Sequence, residues 1–106
     1  MADKLTSKDV HLPVIDRATA KKLVGDGWAE LVDRAYDGLG DAEVMQVKEK
    51  FGALRIYGYD LTKEQIDMLL DVEDASMHVC ELCGEPGELT NIRGIWLKTR
   101  CAECVE

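Results

Sequence analysis

The fold of this chain is decided by two short segments, Cys80-Glu81-Leu82-Cys83-Gly84 and Cys101-Ala102-Glu103-Cys104. Each contains a C-x-x-C pair, and seventeen residues, Gly84 to Arg100, separate the pairs. This spacing is typical of a site in which four thiolates bind one structural zinc ion. The residues between the pairs are long enough for a β-hairpin that folds the second pair back over the first. The sequence therefore predicts a zinc ribbon whose metal ligands are Cys80, Cys83, Cys101 and Cys104.

Other interpretations of the four cysteines fit less well. Disulfides need an oxidising compartment, and the stretch from Met1 to Asp9 has neither an apolar segment nor a cleavage site, so we expect a cytoplasmic protein. A thioredoxin-like site needs a single pair at a helix start. A rubredoxin-type iron site uses similar ligands, and spacing separates it poorly from zinc. Iron and disulfides therefore stay open as alternatives to zinc.

Composition indicates a small soluble protein. The 106 residues are 46% hydrophobic and 32% charged, and no apolar run approaches the length of a membrane span. We expect a polar lead-in over 1–13, an α+β core over 14–77 and a zinc ribbon over 78–106 that packs on the core. A core of that size is marginal, so the metal should matter to the stability of the whole chain. The net charge of −8 disfavours nucleic acid as a partner and favours a protein partner.

Two helices are predicted at the start of the core. Asp16 can cap a first helix that ends near Val24, and Asp26 can cap a second. The apolar residues of the second helix recur at helical spacing, with Gly38 and Gly40 as stop signals. Its buried stripe is predicted to consist of Trp28, Leu31, Val32, Ala35 and Leu39.

A β-hairpin is predicted next, with strands over 43–48 and 53–59 and a turn near Gly52. A helix over Val44, Val47, Phe51 and Leu54 is the alternative. Alternation along the strands places four side chains in the core: Met45, Val47, Leu54 and Ile56.

The opposite face of this hairpin collects cations and aromatic rings in an otherwise acidic chain. It is a candidate contact surface for a partner protein or a nucleotide backbone. An ordinary solvated strand face is the competing interpretation. The candidate partner-binding residues on it are Gln46, Lys48, Lys50, Arg55 and Tyr57.

The third predicted helix starts at Thr62, which forms a capping box with Gln65. Its buried stripe is expected to begin with Ile66, Leu69 and Leu70. The other side of this helix is acidic, with Asp67, Asp71, Glu73 and Asp74. In the ribbon, we predict a hairpin around Arg93-Gly94, with Trp96 and either Ile92 or Ile95 packed against the helical core.

Four blocks of the sequence resemble a group of small phage and prophage zinc-ribbon proteins. The blocks are Gly25-Asp26-Gly27-Trp28-x-x-Leu31, Gln46-Val47-Lys48-Glu49-Lys50-Phe51-Gly52-x-Leu54-Arg55-x-Tyr57, Cys80-x-x-Cys83-Gly84-x-Pro86-Gly87 and Trp96-Leu97-x-Thr99-x-Cys101-x-x-Cys104. In that group the last metal position can be His, whereas here it is Cys104. The resemblance implies a setting, the cytoplasm of an infected or lysogenic bacterium, rather than a chemistry.

Two classes of function follow, and a third is disfavoured. The first is a non-enzymatic interaction protein, in which structural zinc holds a scaffold that binds a host or phage protein; a narrower version inhibits a bacterial defence or nucleic-acid enzyme by charge mimicry. The second is a nucleic-acid-binding zinc ribbon that acts in transcription or replication. We expect no enzyme, because nothing in the sequence forms a catalytic group: there are only two histidines, all four cysteines are predicted metal ligands, and there is no phosphate-binding loop.

Overall fold

The computed structural model describes residues 14–92, 94 and 96–104. Its architecture is α+β, with helices, two small antiparallel sheets and a C-terminal cluster of four cysteines, as predicted. The predictions for residues 1–13, Arg93 and Ile95 lie outside the described residues. Along the chain the elements are α1 (Arg17–Leu23), a 3₁₀ turn (Asp26–Trp28), α2 (Ala29–Leu39), β1 (Val44–Lys50), β2 (Ala53–Gly58), α3 (Lys63–Ser76), β3 (Glu88–Ile92) and β4 (Trp96–Arg100).

The N-terminal helices form where the sequence predicts them. The carboxylate of Asp16 accepts a hydrogen bond of 2.8 Å from the backbone N–H of Thr19, which satisfies a free donor at the start of α1. The prediction that Asp26 caps α2 is wrong. Asp26 belongs to the 3₁₀ turn that precedes α2, and no side chain caps that turn or the helix after it.

The β1–β2 hairpin is confirmed, and Phe51 and Gly52 form its two-residue turn. Both have positive φ angles, 55° and 84°, which is the conformation that a tight hairpin turn requires. Glycine adopts it freely, whereas Phe51 adopts it at a steric cost and leaves 63% of its side chain exposed.

The predicted burial of Met45 is wrong. The pairing of β1 with β2 shifts register between Val44 and Gln46, which is a β-bulge. The extra residue turns Val44 inward, where it is 1% exposed, and leaves Met45 38% exposed. Val47, Leu54 and Ile56 are buried as predicted.

Helix α3 begins with the predicted capping box between Thr62 and Gln65. Its buried stripe is narrower than predicted and consists of Leu69, Val72 and Ser76. The predicted burial of Ile66 and Leu70 is wrong, since they are 47% and 55% exposed. They lie beside the buried stripe, where the hairpin does not cover them.

One hydrophobic cluster joins the helices to the hairpin. Trp28 is fully buried in it, as predicted, with residues from α1, α2, α3 and both strands. A polar group completes the contact between α3 and β2, because the Ser76 hydroxyl accepts a buried hydrogen bond of 2.8 Å from the backbone N–H of Leu54. The fully buried larger side chains of this cluster are Trp28, Val32, Leu39, Val44, Leu54 and Val72.

The second sheet, β3–β4, docks against the turn of the first hairpin. The Thr99 hydroxyl donates a buried hydrogen bond of 2.7 Å to the Gly52 carbonyl, and Lys98 pairs with Glu49 at 2.9 Å. The prediction that Trp96 packs on the helical core is wrong, because its side chain is 61% exposed. Backbone and polar contacts to the hairpin turn take the place of that aromatic anchor. The boundary predicted between core and ribbon at residue 78 stays a prediction.

Candidate metal centre

The first cysteine pair lies in a tight turn that follows α3. The backbone N–H of Gly84 donates to the Cys80 carbonyl at 2.9 Å, and the N–H of Cys80 donates to the Glu85 carbonyl at 2.7 Å. These bonds fold the chain around the sulfur of Cys80, which is fully buried, while Cys83 remains exposed. The turn therefore presents both sulfurs on the same side.

The second cysteine pair follows β4 and closes a similar turn. The N–H of Cys104 donates to the Cys101 carbonyl at 3.1 Å, and the guanidinium of Arg100 donates to the Cys104 carbonyl at 3.2 Å. The two turns are tied together by the N–H of Glu81, which donates to the Thr99 carbonyl at 3.0 Å. Pairing of β3 with β4 thus carries the second turn back to the first, as the spacing predicts.

All four sulfurs converge on one point. The ligand atoms of Cys80, Cys83, Cys101 and Cys104 lie within 4.8 Å of one another, and the four cysteines are free thiols. The Sγ atoms of Cys83 and Cys101 are 3.5 Å apart. Tetrahedral zinc with bonds of about 2.3 Å to sulfur separates its ligands by about 3.8 Å. The cluster is compatible with one zinc ion.

The electrostatics of the cluster favour a bound cation. Burial opposes ionisation of Cys80, yet hydrogen bonds from the backbone N–H groups of Cys83, Cys101 and Leu82 lower its pKa to about 6. The neighbouring sulfurs of Cys101 and Cys83 raise the pKa of Cys104 to about 12. Cys80 therefore ionises readily, whereas ionisation of Cys104 is unfavourable beside the other sulfurs. A divalent cation among the four sulfurs would make ionisation of Cys104 favourable as well.

A buried ion pair lies directly behind the cysteines. Glu81 is 8% exposed, and one of its carboxylate oxygens faces the guanidinium Nε of Arg100 at 3.9 Å. Burial raises the pKa of Glu81, although the positive charges of Lys98 and Arg100 lower it in part. This pair connects the first cysteine turn to β4 by charge alone, because neither of the two facing atoms has a hydrogen-bond partner among the described residues.

The 3₁₀ turn packs against the back of the first cysteine turn. The N–H of Gly27 donates to the Glu81 carbonyl at 2.9 Å, and the indole N–H of Trp28 donates to the Val79 carbonyl at 2.8 Å. A Cβ atom at Gly25 would overlap the Glu81 carbonyl oxygen, and one at Gly27 would overlap the Cys80 carbonyl oxygen. Only glycine allows the two backbones to approach this closely.

Sequence reasoning missed this contact, although a signal was present. Gly25 and Gly27 flank Asp26 directly before a tryptophan, and from the sequence these residues are assigned only a helix cap and a place in the resemblance. The structure shows that the pair is a docking surface for the first cysteine turn.

The candidate partner-binding residues share one face of the β1–β2 hairpin but differ in surroundings. In the register, Gln46 pairs with Tyr57, and Lys48 pairs with Arg55. Lys48 lies 5.9 Å from the centre of the Tyr57 ring, and Lys50 is exposed near the turn. Arg55 is less available, because its guanidinium faces Glu73 of α3 at 3.7 Å and its side chain is 29% exposed. Their role in binding stays a prediction.

Comparisons with known proteins found no matching family model, no matching curated protein and no matching solved structure. Among the helices of the described residues, none is long and apolar enough to cross a membrane.

We expect the metal affinity of the cluster to fall steeply as the pH falls, because protons compete with the metal for the sulfurs. The thiols of Cys83 and Cys104 both have raised pKa values, so binding near neutral pH must displace at least their two protons. Displacing two protons makes the dissociation constant rise about a hundredfold for each unit by which the pH falls, and any further proton displaced makes the rise steeper. Below about pH 6, Cys80 also takes up a proton, and the dependence should steepen.

Titration with Co²⁺, followed by its charge-transfer absorption at several pH values, measures this dependence. A dissociation constant that does not change with pH would show that these thiols do not bind the ion.

Proposed function

We propose that this chain is a non-enzymatic interaction protein in which one structural zinc ion fastens a β-ribbon to a small α+β scaffold. The carrying observation is the convergence of four cysteine sulfurs within 4.8 Å. Zinc is the first-row ion that most often occupies a tetrahedral site of four thiolates. Four protein ligands fill its coordination shell and leave no position for a water or substrate, which supports a structural rather than a catalytic ion.

The proposed partner is a host or phage protein in a bacterial cytoplasm. The net charge of −8 opposes autonomous binding to nucleic acid, and it favours proteins with basic surfaces. Several large apolar side chains are exposed around the hairpin and α3. Exposed apolar side chains that lie together in this way are typical of protein interaction sites.

A narrower form of this proposal is inhibition of a bacterial defence or nucleic-acid enzyme. Asp67, Asp71 and Asp74 of α3 are exposed on one helix. Asp67 pairs with Lys63 at 2.9 Å, and the carboxylates of Asp71 and Asp74 offer negative charge to a surface that normally holds phosphate. The prediction specific to this form is that neutralising the three carboxylates weakens binding to the partner, while neutralising exposed acids elsewhere does not.

Binding of nucleic acid is the second candidate function, and the hairpin supports it. Lys48 lies over the Tyr57 ring, and Lys50 lies 5.5 Å from the centre of the exposed Phe51 ring. Cations beside exposed aromatic rings are a typical arrangement for single-stranded nucleic acid. The net negative charge is the physical argument against it.

Two measurements on the purified, metal-loaded protein decide between these functions. Metal analysis should find one zinc ion per chain, and affinity capture from a bacterial lysate, followed by reconstitution with the purified candidate, should yield a stoichiometric protein complex. Binding to that candidate should weaken in a Lys48→Ala/Tyr57→Ala variant relative to a Lys22→Ala/Leu23→Ala control on α1. Retardation of DNA or RNA at low salt, without a reconstituted protein complex, would instead establish the nucleic-acid function.

A further inference from the structure

A groove of about 610 Å³ lies between α3 and the face of the β1–β2 hairpin that carries Lys48 and Tyr57. This volume is in the range of sites that hold a ligand or the anchoring side chains of a partner. The groove is open along one side. Its floor comes from the two strands and its wall from the exposed side of α3.

The groove is lined by apolar side chains that the fold leaves uncovered. Met45 is 38% exposed, Tyr57 39%, Ile66 47% and Leu70 55%. Three of these, Met45, Ile66 and Leu70, occupy positions where the hydrophobic pattern of the sequence predicts burial. Apolar residues that follow the pattern of a core but face a shared groove are typical of a surface covered by a partner.

The charges around the groove differ between its two rims. Lys48 and Gln46 border it on the hairpin, and Glu73 lines it on α3. Further along the outer side of α3, Asp71 and Asp74 are exposed. A bound segment that fills the apolar groove and extends over α3 would therefore contact the carboxylates of Asp71 and Asp74.

We propose that this groove binds an amphipathic basic segment of a partner protein, with apolar side chains between Leu70 and Tyr57 and with Lys or Arg opposite Asp71 and Asp74. This inference rests on the proposed interaction function and names the chemistry of the partner. The wall from Ile66 to Glu73 is about 10 Å long, which matches about two turns of a bound helix.

The charges argue against the other occupants of an apolar groove. Phosphate backbones and anionic lipids would be repelled by the exposed carboxylates of Asp71 and Asp74 and by the net charge of −8. A second copy of the chain would bring the same net charge against itself. A basic segment gains both apolar burial and attraction to these carboxylates.

The test uses a fluorescent Leu/Lys peptide of about 14 residues with a helical apolar stripe, a length at which an isolated helix is marginal and can fold on binding. Its anisotropy is measured with the full zinc-loaded chain. A peptide of the same composition, scrambled so that the stripe is lost, controls for charge attraction alone. We expect the striped peptide to bind at least tenfold more tightly than the scrambled one.

Two double variants, each of which replaces two exposed apolar residues by uncharged Gln, test whether the peptide binds in the groove. Ile66→Gln/Leu70→Gln should weaken binding of the striped peptide about tenfold, because amides replace two apolar contacts. Val14→Gln/Leu23→Gln changes residues that are 54% and 50% exposed outside the groove, and it should leave binding unchanged. Backbone NMR spectra of both variants check that the fold is retained.

Four outcomes would overturn this inference. Equal binding of the striped and scrambled peptides would mean unspecific charge attraction, and equal loss in both variants would place the contact elsewhere. A wild-type dimer in light scattering that dissociates with Ile66→Gln/Leu70→Gln would assign the groove to a second copy. If the reconstituted host or phage partner binds this variant as tightly as the wild type, the groove inference fails while the proposed interaction function stands.

Discussion

Cys83→Ser should release the ribbon from its fixed structure and destabilise the rest of the chain. Structural zinc contributes about 10–16 kcal/mol to the folding of small zinc domains, and a domain of this size has a total stability of about 5–15 kcal/mol. Serine is a poor zinc ligand at neutral pH, so the variant loses an interaction comparable with the whole stability. The core also loses partners, because the indole of Trp28 donates to Val79 and the Thr99 hydroxyl donates to Gly52.

Hydrogen exchange and thermal unfolding measure this effect. In Cys83→Ser, the amides of β3 and β4 should exchange at nearly unprotected rates, and the unfolding temperature of the whole chain should fall. Treatment of the wild type with a zinc chelator should reproduce both changes. Cys104→His is the matched control, because histidine is an ordinary zinc ligand and should keep the ribbon ordered. Wild-type protection and no metal loss in Cys83→Ser would contradict a structural four-cysteine site.

The elements predicted correctly are those whose local chemistry admits few alternatives. Thr62 and Gln65 satisfy each other at the start of α3, and Gly52 supplies a turn that other residues resist. The cysteine spacing restricts the chain further, because two pairs can share a tetrahedral ion only if the residues between them fold back. Each of these features is determined by residues close together in sequence or by the ligand spacing that one ion requires. A single sequence is therefore enough to predict them.

The errors arise where tertiary contacts decide. Strand alternation predicts burial of Met45, but one extra residue in β1 reverses the alternation, and nothing in the local sequence marks the bulge. The spacing of Ile66 and Leu70 fits a buried stripe, yet hydrophobic patterning does not distinguish a core from a groove that faces solvent.

The prediction for Trp96 is wrong for a related reason. A large aromatic residue is the usual anchor between two parts of a protein, so Trp96 was expected to fill that role. The structure instead uses close backbone contact at Gly27 and hydrogen bonds from Thr99 and Lys98. Small and polar residues give no hydrophobic pattern in the sequence. Their contacts depend on a distant segment of the same chain, and sequence periodicity does not show which segment that is.

Gly27→Ala should detach the first cysteine turn from the core, although it removes no ligand and no side chain. The added Cβ would overlap the Cys80 carbonyl oxygen and lie 2.5 Å from the Gly84 nitrogen. Both are backbone atoms of a turn that bound metal would hold rigid, so neither can yield cheaply. The clash and the lost hydrogen bond from Gly27 to Glu81 together should cost about 3 kcal/mol.

The readout separates docking from metal binding. Trp28 is fully buried and Trp96 is 61% exposed, so in a Trp96→Phe background the fluorescence reports Trp28 alone. We expect Gly27→Ala to shift this emission to the red and to lower the unfolding temperature, while zinc content stays at one ion per chain. Gly38→Ala is the matched control, because the three atoms nearest to its added Cβ all belong to the flexible side chain of Met68, whose methyl group would lie 2.7 Å away and can move. In a helix that change should be neutral or stabilise by up to about 1 kcal/mol. Equal stability of the two alanine variants would contradict the assigned contact, because only Gly27 faces a backbone that cannot move.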